Sequence, residues 1–254
     1  DNTNEALKDA KTGAHDMDGA KNDILVSNGT KIFLTQNVFD MSLQKIEPKR
    51  IARWGAYETD LHLVASGGFL DDSGFDRLYW MYAKRWPGLY YAATAPKAGQ
   101  ILVFDSKRTY GLHKFTEKFS RSPYFEVGAG GCELFADEND NEPLLTERAE
   151  KRERGTMSRA KEPVWSIQVP VNARAMVLTD KTVFFSGSPD VIPEDDPLAA
   201  LEERYGGKLW AVSKEGGEKL AEYDIASPPV FDGLIAAGGK LYIVTRDGKV
   251  TCWN

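Results

Sequence analysis

Thiol chemistry is almost absent from this chain. Its 254 residues hold two cysteines, Cys132 and Cys252, and neither stands in a CxxC or CxxCH pattern. That argues against a zinc knuckle and against covalent c-type haem. The pair reads as two buried thiols in strands, with a single disulfide as the alternative. Histidine is equally scarce: His15, His62 and His113 show no i, i+4 spacing and no neighbouring partner motif, so each reads as a surface or packing residue. No uninterrupted apolar run approaches the roughly 18 residues of a membrane helix. The opening stretch, DNTNEALKDAKTGAHDMDGAKND, is polar and does not resemble a signal peptide. Basic residues do not dominate either. Lys and Arg number 32 against 38 Asp and Glu, a formal net charge of −6, which argues against a phosphate-binding surface and a nucleic-acid partner.

What the chain does have is repetition. Ser227 to Asn254 reads SPPVFDGLIAAGGKLYIVTRDGKVTCWN, three short apolar runs separated by glycine turns. Gly238-Gly239 and Asp247-Gly248 predict hairpin turns, the second of type I′ with both φ values positive. ARAMVLTDKTVFFSGS followed by GGKLWAVSKEGGEKLAEYDI repeats the theme, and GGKLWAV and GGKLYIV are nearly the same phrase. Upstream, NDILVSNGTKIFLTQNVFDMSLQKIEP gives three more strands around Asn28-Gly29. Between these lie the strand-like pieces DRLYWMY, GQILVFD, TYGLHKF, GCELFAD and PVWSIQV. About four to five units of four short strands predict an all-β fold, a β-propeller; a sandwich or barrel would explain the strand density but not the repeated hairpin.

The chain divides into a polar segment or linker, 1–21, and the blades, 22–254, with rim insertions expected at 49–98, 138–162 and 189–205. Residues 138–162 carry dense mixed charge and predict a solvated loop or frayed helix. In 189–205, Asp196 and Pro197 predict the N-cap and first position of a short helix, LAALEERY. The last unit has three strands. With 1–21 a poor strand former, a larger seven- or eight-bladed ring is expected, completed by a longer parent chain or a second chain.

These phrases resemble, in order, segments of the PQQ-like β-propeller repeat proteins of planctomycetes and related bacteria. GGKLWAVSKEGGEKLAEYDI and SPPVFDGLIAAGGKLYIVTRDGKVTCW are similar to their closing repeats; NDILVSNGTKIFLTQNVFD, GFLDDSGFDRLYWMY, GQILVFDSKRTYGL and ARAMVLTDKTVFFSGSPDVI are similar to earlier ones. The resemblance runs from Asn22 to Trp253 and implies the propeller fold, an extracytoplasmic (periplasmic) location, and the C-terminal portion of a longer protein. Quinoproteins of this fold pair an adjacent-cysteine disulfide with the quinone and hold Ca²⁺ nearby. This chain has no Cys-Cys pair and too few blades, and a shared fold does not carry a site with it.

The densest set of functional groups is GFLDDSGFDRLYWMY, with Asp71, Asp72, Asp76 and Arg77 beside Trp80. Carboxylates next to aromatic faces suit a sugar or Ca²⁺, but Asp, Ser and Gly are also ordinary turn formers, and that is the favoured reading. In the family, positions 74 and 76 are more often Trp and His, so Gly74 and Asp76 weaken any inherited site. Asp137, Asn139 and Asn141 have the spacing of a calcium loop, yet Glu142 replaces its glycine and Arg148 its bidentate Glu. Ser186–Ser188 lack the GxSxG pattern. Trp54, Trp86 and Tyr90 lie in the expected rim segment, where exposed aromatics would form a binding patch. The expected function is therefore a scaffold without cofactor that binds a protein or polysaccharide through rim loops. The alternative is an axial enzyme, either a quinone-dependent dehydrogenase with PQQ and Ca²⁺ or a glycan-cleaving enzyme using Asp71 and Asp72.

Overall fold

The computed structural model describes residues 24–34, 37–51, 56–65, 80–88, 95–113, 128, 130–145, 157–199 and 202–254. Every regular element among them is a strand, and the strands form successive antiparallel sheets. The first sheet holds β1 (Val26–Ser27), β2 (Lys31–Leu34), β3 (Asn37–Asp40) and β4 (Lys45–Ile46); the second holds β5 (Lys49–Arg50), β6 (Tyr57–Ala65), β7 (Trp80–Trp86) and β8 (Ala98–Gly99). The third runs β9 (Ile101–Phe104), β10 (Arg108–His113), β11 (Cys132–Glu138) and then β14 (Trp165–Val169). A two-stranded hairpin, β12 (Pro143–Leu145) with β13 (Met157–Arg159), is inserted before its last strand. The fourth is β15 (Val171–Leu178), β16 (Thr182–Pro189), β17 (Gly207–Ser213) and β18 (Lys219–Ile225), and the fifth is β19 (Pro229–Ala237), β20 (Lys240–Thr245) and β21 (Val250–Trp253). Four meanders of four strands and one of three are the blades of a β-propeller.

The chain forms two compact units, one of residues 1–98 with 140–161, the other of 99–139 with 162–254. In the second unit β15, first strand of its sheet, lies beside both β9 and β19, the first strands of the flanking sheets. The alternation of each strand explains the stacking. On the third sheet Tyr110, Leu134, Trp165 and Val169 share one face, and they meet Met176, Val183, Phe185 and Val212 of the fourth. The opposite face of the fourth sheet carries Ala175, Val177, Phe184 and Leu209, which meet Leu234, Leu241 and Ile243 of the fifth. Trp165 also donates from Nε1 to the Lys214 carbonyl at 3.2 Å, and its ring covers Gly217 of the β17–β18 turn. Trp165 and Trp210 are buried, and Trp253 is half-buried against Tyr223 at 5.2 Å between ring centres.

Several local expectations change. Residues 49–98, read as a rim insertion, contain the four strands of the second sheet. Within 138–162 the described residues form a hairpin rather than a loop or helix. No helix forms in the described part of 189–205: Asp196 does cap, its carboxylate taking the N–H groups of Leu198 and Ala199, but the chain then makes turns. Glu203 there has φ 60°, which ends any right-handed helix. At Arg246–Lys249 only Gly248 has positive φ, so the turn is a three-residue loop with a left-handed glycine and not type I′; Gly238-Gly239, with φ 59° and 73°, does take the primed form. Both cysteines are free, Cys132 buried and Cys252 exposed. Residues 1–21, expected to add no closing strand, lie outside the described residues.

Candidate binding surface

Of the residues read as a sugar, metal or partner site, Trp54, Asp71, Asp72, Asp76, Arg77 and Tyr90 lie outside the described residues. Trp80 opens β7 opposite Ala65 and is half-buried; Trp86 closes the same strand opposite Tyr57 and is only 6% exposed. Seven strand residues put the two rings at opposite ends, about 20 Å apart. Trp86 therefore serves the core of its sheet and offers no rim surface.

The calcium-loop spacing is used for backbone fixation instead. Asn139 accepts from the Thr109 hydroxyl and donates to the Asp105 carbonyl, at 2.8 Å each. Asn141 is buried and bonds both backbone groups of Lys161. Glu142, which breaks the calcium pattern, carries the most consequential contact in the first unit. Its carboxylate receives the backbone N–H groups of Lys84 and Arg85 at 3.0 Å and the Lys97 ammonium at 2.9 Å. Lys97 is fully buried, with φ 57°. In the same unit His62, 2% exposed, stacks on Phe33 at 3.7 Å and hydrogen-bonds the Asp60 carbonyl through Nδ1. Burial pushes its pKa down, against the opposing pull of Asp60.

The second unit has comparable clamps. Buried Asp190 receives the N–H groups of Gly128, Gly130 and Gly131 and the Asn172 side-chain amide. Glu203, whose φ is 60°, is gripped by Arg174 and Arg246. Asp105 joins the β9–β10 turn to Lys214 at 2.6 Å. Burial would raise its carboxyl, but Lys214 and the N–H groups of Arg108 and Lys107 outweigh that and hold it at about 2. The long-range partners were not legible in the sequence, because they lie 18 residues away at Asn172–Asp190 and as far as Asp105–Lys214. Among the described residues no three His, Cys, Asp or Glu side chains gather as a metal site. The two free cysteines, one buried and one exposed, do not fit the disulfide that a quinone pocket of this fold uses.

Among the described residues the fifth sheet carries apolar groups on one open side. Pairing in the fifth sheet places Ile235, Tyr242 and Cys252 in one cross-strand row and Val244 with Val250 in the next, all on the face opposite Leu234, Leu241 and Ile243. Ile235 is 58% and Val250 68% exposed, Cys252 is exposed, and Tyr242 and Val244 are half-covered. The strand residues Leu220, Tyr223 and Phe231 are also exposed, Tyr223 on the other side of the fifth sheet, against Trp253. No family model and no curated protein matches the chain. Among solved structures it is similar to BamB from Moraxella catarrhalis, at 12% identity and a TM-score of 0.26, over 94% of this chain and 80% of that one. No helix among the described residues is long and apolar enough to cross a membrane.

Proposed function

We propose that this chain is a binding and assembly scaffold of the β-propeller class that engages a protein partner and performs no catalysis itself. The observation that carries this reading is the apolar row on one face of the fifth sheet: Ile235 and Val250, exposed, with Tyr242 and Val244, half-covered, between them. These are strand residues of high β propensity, not turn residues, and surface apolar groups gathered in this way mark interaction sites. The polar groups with the strongest geometry, Glu142, Asp190, Asp105 and Glu203, are spent on backbone and ion-pair clamps. An extracytoplasmic location is proposed with it, supported by the resemblance to PQQ-like repeats. A polysaccharide partner at the 49–98 loops is a weaker version, since the one fully described aromatic of that patch, Trp86, is buried.

The test is a photo-crosslinking amino acid placed in turn at Leu220, Phe231, Ile235 and, as a polar exposed control, Asp180, in cells of the source organism. A discrete protein adduct at the apolar positions and none at Asp180 is expected. No adduct at any of the three, or the same adducts at Asp180, would refute a protein-binding scaffold.

A further inference from the structure

Arg174, Glu203 and Arg246 come together from three separate elements of the second unit. In β15 the register passes from Ala173–Gly187 to Ala175–Ser186, which leaves Arg174 as the extra residue of a bulge. A bulge of this kind re-aims one side chain out of the strand's alternation. Arg246 stands in the β20–β21 turn, where its N–H donates to the Pro228 carbonyl at 3.0 Å. Glu203 comes from the segment between β16 and β17. Its Oε1 meets Nη2 of Arg174 and its Oε2 meets Nη1 of Arg246, so one carboxylate is shared by guanidinium groups of the fourth and fifth sheets. The Glu203 side chain is 6% exposed, while those of Arg174 and Arg246 are 36% and 53% exposed. Each guanidinium has five N–H donors and gives one to this carboxylate. Among the described residues neither arginine pairs with a second acid, so two positive charges meet a single negative one.

The segment that delivers Glu203 has few other polar ties to the sheets. Among the described residues from Val191 to Gly206, the remaining hydrogen bonds and ion pairs stay inside the segment. The N–H groups of Ala199, Glu202 and Arg204 reach the carbonyls of Asp196, Leu198 and Ala199, and the Arg204 guanidinium pairs with Asp196 and Glu202. Val191, Ile192, Leu198 and Tyr205 are exposed, and Ala199 is buried. Both ends are fixed, by Asp190 on its glycine N–H groups and by Gly206, whose φ of 68° leads into β17. Glu203 has φ 60°, a region that glycine enters freely and a residue with a side chain enters at a cost. A stretch with few buried contacts opens locally more readily than the sheets it lies on.

We infer that Arg174 and Arg246 form a carboxylate-binding clamp, that Glu203 fills it as an internal ligand, and that an acidic segment of a protein partner, with two carboxylates close together, takes its place. The inference rests on the scaffold reading only in making the ligand a stretch of protein. Two carboxylates suit the clamp better than one, because each guanidinium then receives its own pair of acceptor oxygens and the charge that Glu203 leaves over is cancelled. The exchange strands no buried charge: one acid returns to solvent as another enters. The formal net charge of −6 disfavours acidic ligands on the rest of the chain, so attraction is confined to a local positive site.

Tetramethylrhodamine-labelled hexaglutamate is titrated with the full chain at low ionic strength and followed by fluorescence anisotropy, with labelled hexaglutamine as the neutral probe. Glu203→Gln should bind hexaglutamate about tenfold more tightly than wild type, as for a site that is free about one-tenth of the time. Glu203→Gly removes the same carboxylate and suits the positive φ, so it should show the gain even where glutamine disturbs the turn. Glu202→Gln changes the charge equally one residue away, where the carboxylate meets Arg204 and not the clamp, and should alter affinity by less than about twofold. Adding Arg174→Gln and Arg246→Gln to Glu203→Gln should return binding to the level of hexaglutamine. Wild-type affinity in both Glu203 variants overturns the inference. So does an equal gain in Glu202→Gln, a gain that survives loss of both arginines, or hexaglutamine binding as tightly as hexaglutamate. Crosslinked adducts at Ile235 with no gain in the Glu203 variants leave the scaffold standing and remove the clamp. The gain without adducts removes the scaffold and keeps the clamp as a site for acidic peptides.

Discussion

Replacing Glu142 by alanine should damage the first unit more than any surface change in the chain. The Lys97 side chain is completely buried and that of Glu142 is 15% exposed, so this pair is held in a medium of low polarity. The carboxylate also takes the N–H groups of Lys84 and Arg85, neighbours on β7. Removing it separates a buried ammonium from its carboxylate and leaves two strand donors short of an acceptor. Breaking a buried pair from one side costs about 3–5 kcal/mol. Lys97→Met should cost less, about 1–2 kcal/mol, because the carboxylate keeps two backbone donors and some water. In a double-mutant cycle the pair should show a coupling of about 2 kcal/mol, as two charged groups in direct contact do. A chain of two units need not unfold in one step, so a global denaturation midpoint is a poor reporter. Native-state hydrogen exchange at the amides of β6 and β7 reads the right region, and 3 kcal/mol corresponds to exchange roughly a hundredfold faster. If Glu142→Ala changes those rates by less than about threefold, or if the two substitutions add without coupling, the reasoning about Lys97 fails.

Gly217→Ala should loosen the contact between the third and fourth sheets. The residue has φ 79°, and a Cβ there would lie 2.8 Å from the Trp165 ring, so a loss of about 2 kcal/mol or more is expected, seen as a red shift and earlier loss of tryptophan fluorescence in urea. His62 is held neutral by burial, so the unfolded chain binds the extra proton as pH falls below about 6.5. Its contribution is therefore full above that pH and lost beneath it, and the melting temperature should drop between pH 7.5 and 5 in wild type more than in His62→Phe, which keeps the stack on Phe33. Equal drops would refute that role. Asp105 behaves as a depressed carboxylate: its stabilisation is complete above about pH 4 and disappears as pH falls toward its folded value of about 2. Asp105→Asn should flatten the acid limb of a urea-midpoint profile between pH 4.5 and 2.5; an unchanged slope would show that the Lys214 contact does not matter.

What could be read in the chain, and what could not, follows the range of the interactions. Hairpins are local, so Gly238-Gly239 and the phrases on either side announce β19 and β20 without reference to anything distant. The same holds for Asn28-Gly29, where Gly29 takes φ 87° and the Asn28 side chain caps Thr30 and Lys31. Residues 49–98 misled because their strands are separated by long segments and because β6 carries His62 and charged groups that interrupt the apolar alternation. The short helix expected after Pro197 is reduced to turns: the Glu202 N–H still reaches the Leu198 carbonyl, but Glu203 is left-handed and the Arg204 N–H closes on Ala199, while the Glu203 carboxylate pairs with the distant Arg174 and Arg246. Glu142 was visible only as a defect in a calcium motif. Its actual partner, Lys97, is 45 residues away, and no spacing rule connects the two.

Composition carries one further message that the hairpin signals alone do not. β18, KLAEYDI, mixes Glu and Asp with its apolar residues and is exposed along most of its length, as the outer strand of a blade should be. β20, KLYIVT, has no charged residue after Lys240, and yet Tyr242 and Val244 on one side of it are only half-covered. If both strands were simply solvated on one face, selection for solubility would have placed polar groups at Tyr242 and Val244 as it did at Glu222 and Asp224. Polar replacement at Val244 is therefore a measure of that cost. Val244→Thr should leave the melting temperature within about 1–2 °C of wild type, since it deletes only half-exposed apolar surface, while weakening capture of a protein partner. A drop larger than about 4 °C would mean that Val244 holds its own sheet together, and the apolar face would then need no partner to explain it.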